Sequence, residues 1–167
     1  MKENNLTDDF LVILEKNIAS IFKIAHVYAH TSNDKEDMVN DIIYELWKSY
    51  PRFRGDAKIS TWLYRVALNV ALRTKRGKER NKLVFVSELK TLEGKDFFEP
   101  ASDNSSEIKR MYECIERLDP VNRAIVLLYL DEKTNDEIAA VTGLSKTNIS
   151  TRLSRIRQQL RELMKEQ

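Results

Sequence analysis

The sequence predicts an all-α protein: two small helical domains joined by a flexible acidic linker, the second ending in a helix-turn-helix. Three observations predict it. The 167 residues include only 4 Gly and 3 Pro against 32% charged residues, a composition suited to soluble helices. Apolar residues recur at the three- and four-residue spacing of a helix with one buried face. That period stops between about Ser87 and Ser106 and then resumes, which divides the chain into domains at 1–82 and 107–167 with a linker at 83–106.

The first helix is expected from Leu6 to about Ala29, where Phe10, Leu14, Ile18, Ile21, Ala25 and Tyr28 trace one face. Thr31-Ser32-Asn33-Asp34 is a turn with several candidate caps. A second helix from Asp34 to Tyr50 buries Met38, Val39, Ile42, Ile43, Leu46 and Trp47, and Pro51 ends it. Residues Arg52 to Lys58 form a loop around the permissive Gly55. Ser60 or Thr61 opens a third helix with Trp62, Leu63, Val66, Ala67 and Val70 inward. Leu83–Val86 is too short to commit to a sheet. The linker gathers Glu88, Glu93, Asp96, Glu99 and Asp103 against Lys90 and Lys95, with Gly94, Pro100 and several serines.

From Glu107 a helix carries Ile108, Met111, Tyr112, Ile115 and Leu118. Asp119-Pro120 supplies an N-cap and a proline at the first helical position for the next. Thr134 and Glu137 have capping-box spacing, Gly143 suits a left-handed helix end, and Ser145 suits the cap of the last helix. Ile149, Leu153, Ile156, Leu160 and Leu163 form its apolar stripe, and Lys146, Asn148, Ser150, Thr151, Arg152, Ser154, Arg155 and Arg157 its polar and basic face. Slim hydroxyl residues beside arginines suit a helix that approaches base edges in the major groove. An ordinary bundle corner with solvated arginines has the same local pattern.

Several function classes are excluded or disfavoured. Cys114 is the single cysteine, so no internal disulfide forms, and its apolar neighbours make it a buried side chain rather than a nucleophile. His26 and His30 are one turn apart but lack accompanying ligands for a metal site. There is no Gly-rich phosphate loop and no nucleophile–base set, so an enzyme and a bound cofactor are not expected. Asp8 and Asp9 replace the basic start of a signal peptide, and the longest apolar run, Ala124 to Leu130, is too short to span a bilayer. A cytoplasmic protein without direct membrane insertion is the expectation.

Charge is distributed unevenly although its sum is +2. Asp37, Asn40, Asp41 and Glu45 gather on one side of the second helix, where stacked carboxylates repel mildly. A solvated face and a patch for a basic partner both fit. From Lys48 to Lys82 eleven cations stand against Asp56 and Glu79 alone, interleaved with Phe53, Trp62 and Tyr64. Cations with ring faces suit a polyanion whose bases stack.

These motifs together resemble bacterial extracytoplasmic-function (ECF) sigma factors, two-domain specificity subunits of RNA polymerase. Three stretches carry the resemblance. The first is Lys35-Glu36-Asp37-Met38-Val39-Asn40-Asp41 with Leu46-Trp47. The second is Phe53-Arg54-Gly55-Asp56 with Thr61-Trp62-Leu63-Tyr64-Arg65-Val66-Ala67-Leu68-Asn69. The third is Leu118-Asp119-Pro120 with the terminal helix-turn-helix. The resemblance implies that Asp37, Asn40, Asp41 and Glu45 meet the clamp helices of the largest subunit of core RNA polymerase. It implies that Phe53, Asp56, Lys58 and Asn69 capture a −10 base of promoter DNA, with Arg54, Arg65, Arg73 and Arg76 on phosphates. In the second domain it implies Ser150, Thr151, Ser154 and Arg155 as base-edge readers of the −35 element, with Lys146, Thr147, Arg152 and Arg157 on phosphates. The family more often has Gln in place of Asn40 and a basic residue in place of Ser150. It also implies an anti-sigma factor as partner. A free-standing helix-turn-helix regulator binding an operator without polymerase, and an RNA-binding protein, are the rival readings.

Overall fold

The computed structural model describes residues 2–74 and 105–166, and every regular element among them is helical. Most of the linker, the Leu83–Val86 run, and Lys75, Arg76, Lys78, Arg80 and Lys82 lie outside the described residues. The chain divides into two compact units, 1–98 and 99–167.

The first unit contains α1 (Lys2–Tyr28), α2 (Ser32–Ser49), a 3-10 turn (Tyr50–Arg52) and α3 (Ile59–Thr74). Each helix packs on the other two. Phe10, Leu14, Ile21, Ile24, Ile42, Leu46 and Leu63 are almost fully buried between them. Each such side chain stabilises the fold by about 1.5–3 kcal/mol through removal from water. Trp47, Trp62 and Val66, expected inward, are half-buried. α1 begins at Lys2, earlier than the apolar face that starts the expected helix at Leu6. Thr31 caps α2: its hydroxyl accepts from the Asp34 amide at 3.1 Å and donates to the Asp34 carboxylate at 2.7 Å. The helix therefore starts at Ser32, two residues before the position expected from the turn composition.

Unit two contains α4 (Ser105–Glu116), α5 (Pro120–Leu130), α6 (Asn135–Thr142) and α7 (Lys146–Lys165). Ser105 and Ser106, assigned to the linker from sequence, form the first turn of α4. α7 packs against the three preceding helices. Its Ile149, Leu153 and Ile156 are buried together with Ile115, Leu118, Ile125, Leu128 and Ile138. Leu160 and Leu163, where the stripe runs past that core, are half-buried. Near the far end of α7, Arg110 Nη2 donates to the Met164 carbonyl at 3.0 Å, a cation at the negative end of the helix dipole.

α5 ends without a glycine. Lys133 N–H donates to the Leu128 carbonyl and Glu132 N–H to the Tyr129 carbonyl, both at 3.0 Å, which is a Schellman ending. Its left-handed position is filled by Glu132, at φ 57°, where glycine is the usual occupant. Replacement Glu132→Gly removes the Cβ clash at that position, and an unfolding free energy higher by about 1 kcal/mol is expected in urea titration. An unchanged or lower midpoint would show that the left-handed turn is not strained.

In the first unit, Lys35 Nζ lies 3.1 Å from Nδ1 of His26, so a neutral imidazole accepts from the ammonium. Burial, and then the positive charge of Lys35, lower the His26 pKa from its ordinary 6.5. The unfolded chain then binds the proton more readily. Stability tied to neutral His26 is fully present above pH 6.5 and is lost as pH falls from there through the folded-state pKa. Gln at this position keeps an acceptor and cannot titrate. Between about pH 7.5 and about pH 5.5 the wild type should lose more stability than His26→Gln. Equal losses in both proteins would remove His26 from the account.

Candidate nucleic-acid interface

Sequence periodicity sets which side of each helix is left for a partner. On α2, Met38, Val39, Ile42, Ile43 and Leu46 are buried. Asp37, Asn40, Asp41 and Glu45 are left at the half-buried margin rather than in full solvent, and Asp37 and Asp41 each have an interaction within the chain. The carboxylate stack therefore lies at the edge of the packed side of α2.

On α3, Leu63, Ala67, Val70 and Ala71 are buried. The opposite side exposes Lys58 just before the helix, then Arg65, Asn69 and Arg73. These positions, with half-buried Trp62, follow three- and four-residue steps and so form one stripe. The preceding loop is anchored by rings. Phe53 lies 5.2 Å from Trp62, Trp62 lies 6.1 Å from Tyr50, and Tyr50 lies 5.4 Å from Phe10. Phe10 in turn meets Trp47 edge-on at 5.1 Å. Burial and the nearby Asp9 raise the Tyr50 pKa, which keeps its phenol neutral. Between these anchors, Arg54 and Asp56 are exposed on either side of Gly55, whose φ of 78° requires the left-handed region. The loop thus presents one ring, two charges and backbone at the start of a cationic stripe. Of the eight −10 candidates, seven fall on this surface, and Arg76 lies outside the described residues.

The second surface is the helix-turn-helix of α6 and α7. The capping box of Thr134 and Glu137 forms at both of its bonds. Gly143 ends α6 at φ 77°, with its N–H on the Ala139 carbonyl at 2.9 Å. Ser145 Oγ accepts from the Asn148 amide at 3.1 Å and starts α7. With Ile149, Leu153 and Ile156 buried, the outward face carries Lys146, Thr147, Ser150, Thr151, Ser154, Arg155 and Arg157, all exposed.

These residues are not equivalent. Thr147, Thr151, Arg152 and Arg155 share an open cleft of about 490 Å³ with Asn122, Ser145 and Asn148. The cleft sits at the positive end of the α7 dipole, where an anion is favoured. Lys146 pairs with Asp136 at 2.9 Å, an exposed pair worth little in water. Ser150 Oγ accepts from Asn135 Nδ2 at 3.0 Å, and Thr151 Oγ1 donates to the Thr147 carbonyl at 3.1 Å. Arg157 stands over the Tyr129 ring, 4.9 Å from its centroid. Arg152 is half-buried and makes two side-chain bonds, to Asn148 Oδ1 at 2.8 Å and to Asn122 Oδ1 at 3.0 Å. Sequence reading passed over Asn122, because its partner is thirty residues away. Among the described residues no helix is long and apolar enough to cross a membrane, and no group of three or more metal-ligating side chains occurs.

Comparison with known proteins adds the family. Residues 13–81 match Sigma-70 region 2, and residues 108–160 match Sigma-70, region 4. The chain is 27% identical over 163 residues to the ECF RNA polymerase sigma factor SigG of Mycobacterium tuberculosis, covering 82% of this chain and 44% of that protein. The chain thus spans less than half the length of that relative. It is 24% identical to RNA polymerase sigma factor SigV of Bacillus subtilis, covering 93% of this chain and 91% of that one. With the ECF RNA polymerase sigma-E factor of Escherichia coli K12 it shares 29% identity, over 76% of this chain and 72% of that one. Two solved structures have the same fold, each with a TM-score of 0.69 over 96% of this chain. One is CnrH in complex with the cytosolic domain of CnrY, 20% identical with 90% of that chain covered. The other is the sigma factor RpoE of Bartonella quintana in complex with the anti-sigma factor NepR, 19% identical with 97% covered. Two modules of one family, region 2 and then region 4, follow each other along this chain, and the chain belongs to the sigma-70 family, in its extracytoplasmic-function (ECF) branch.

Proposed function

We propose that the chain is a dissociable specificity subunit of RNA polymerase, an initiation factor and not an enzyme, working where the polymerase works, in the cytoplasm. Residues 1–82 would bind core polymerase and the −10 element, 107–167 would bind the −35 element as duplex, and 83–106 would link them. The observation that carries this reading is the loop anchored by Phe53 and Trp62 beside the exposed stripe of Lys58, Arg65, Asn69 and Arg73. An unpaired base needs an apolar wall and polar edges, and its flanking phosphates need cations. Phe53 supplies the wall, Asp56, Lys58 and Asn69 the edges, and Arg54, Arg65, Arg73 and Arg76 the cations.

Asp37, Asn40, Asp41 and Glu45 are the polymerase contact in this reading. Ser150, Thr151, Ser154 and Arg155 read base edges, and Lys146, Thr147, Arg152 and Arg157 lie along the backbone. The factor needs no cofactor: capture of an unpaired base offsets an unstacking cost of a few kcal/mol. Its control by an anti-sigma factor is proposed from the B. quintana relative, which was solved with one.

The direct test is recovery of core polymerase on the immobilised chain, followed by run-off transcription from genomic fragments. Transcripts that require both proteins are expected. DNA protection by the chain alone, without transcripts, would instead support a free-standing regulator. Asn69→Ala and Lys58→Ala should each reduce promoter opening by about tenfold, as loss of one base-edge contact does, with affinity for core polymerase retained. Normal permanganate reactivity in both variants would remove the pocket. Asp41→Lys should weaken core binding by about tenfold or more through charge reversal, read by fluorescence anisotropy beside a melting curve. Wild-type affinity in a folded Asp41→Lys protein would move the polymerase contact elsewhere.

A further inference from the structure

Arg152 occupies an unusual place for a helix-turn-helix cation. Its Nε donates to Asn148 Oδ1 at 2.8 Å and its Nη1 to Asn122 Oδ1 at 3.0 Å. Asn122 is itself held at its other end, where its Nδ2 donates to the carboxylate of Asp119. Asp119 is the N-cap of α5 and also accepts from the Val121 and Asn122 amides at 3.1 and 3.0 Å. Asn148 donates its amide to Ser145 Oγ, the N-cap of α7, at 3.1 Å. A side-chain relay therefore runs from Asp119, the cap of one helix, through Asn122 and Arg152 to Asn148, whose backbone N–H meets the cap of the reading helix.

The chemistry of the links is directional. A carboxamide can offer its oxygen to a guanidinium and, from its other end, its NH2 to a carboxylate, and Asn122 does both. A flipped Asn122 would turn its NH2 toward Arg152 and its oxygen toward Asp119, and both contacts would repel. Only a guanidinium offers two donors in a fixed fork to acceptors on different helices. The relay also offsets an electrostatic cost. A cation near the N-termini of α5 and α7 faces the positive ends of both dipoles, and the acceptors of Asn122 and Asn148 hold it there.

We propose that Arg152 and Asn122 are positioning residues: together they form a strut that fixes the start of α7 against α5, and so sets how Thr147, Thr151 and Arg155 meet DNA in the cleft. The proposal rests on the reading of this unit as a promoter-binding module and deepens it. It assigns to Asn122 a part in DNA recognition, and it gives Arg152 a role separate from neutralising a phosphate.

A double-mutant cycle on the full chain tests this, with Asn122→Ala, Arg152→Lys and the pair. Asn122→Ala leaves Asp119 its two backbone amides, so α5 remains capped. The DNA probe is the duplex most enriched from a randomised library by the wild-type chain with core polymerase. Asn122→Ala should weaken binding by about three- to tenfold, the effect of one lost hydrogen bond. The slope of log affinity against log salt should stay at its wild-type value, because no phosphate contact is removed. The double variant should bind no more weakly than Arg152→Lys alone. Amide exchange of the free chain supplies a readout without DNA: Asn148 and Ile149 should exchange faster in Asn122→Ala, with the last turn of α7 unchanged. Wild-type affinity in Asn122→Ala, multiplicative effects in the double variant, or unchanged exchange at Asn148 would each overturn the strut. A wild-type chain that gives no transcript with core polymerase would instead overturn the functional reading, and the exchange data would still decide the strut.

Discussion

The burial of Ile149, Leu153 and Ile156 fixes the rotation of α7 about its own axis, and the candidate recognition surface depends on that rotation. A helix with one apolar stripe has one way to satisfy it in a small core. Once the stripe faces α4, α5 and α6, the residues on the other side are committed to solvent or to a partner. A turn of one residue position would rotate the face by about 100° and bury arginines instead. The same logic governs α3, where burial of Leu63, Ala67, Val70 and Ala71 aligns Arg65, Asn69 and Arg73 outward.

Rotation places a face, but it does not hold a loop. In the first unit that task falls to aromatic rings. The set of Phe10, Trp47, Tyr50, Trp62 and Phe53 runs from the core of α1 to the loop before α3. Such ring pairs add roughly 0.5–1.5 kcal/mol each beyond their buried area, and their geometry restricts the loop ends. The loop middle, with Arg54, Gly55 and Asp56, is exposed. In the proposed function such a ring-anchored loop would suit base capture, because the captured group enters only after the duplex opens.

Polar side chains do the corresponding work in the second unit. Asn135 holds Ser150, Asp136 meets Lys146, and Asn122 holds Arg152. Three sequence-distant partners thus act on residues of one helix, on both sides of its buried stripe. In the proposed function, the hydroxyl of Ser150 and the guanidinium of Arg152 would have their geometry limited before DNA binds. Ordering a side chain in advance lowers the entropy lost on binding.

Much of this was legible without coordinates. The caps at Asp119, Thr134 and Ser145, the left-handed Gly143 and the apolar stripes all rest on interactions within a few residues. Local hydrogen bonds and the 3.6-residue period are properties of neighbouring residues, so sequence alone determined the helices, the helix-turn-helix and the candidate faces. Where a sequence signal was atypical, the reading fell short: Glu132 fills a left-handed helix end without the glycine that marks one, and Ser105 starts a helix inside a segment rich in linker residues. Trp62 read as core, yet it stands half-exposed against Phe53. The contacts of His26 with Lys35, Ser150 with Asn135 and Arg152 with Asn122 were decided only by tertiary structure. Each joins different helices, and whether two such side chains meet depends on helix crossing angle and rotation, which no local pattern encodes.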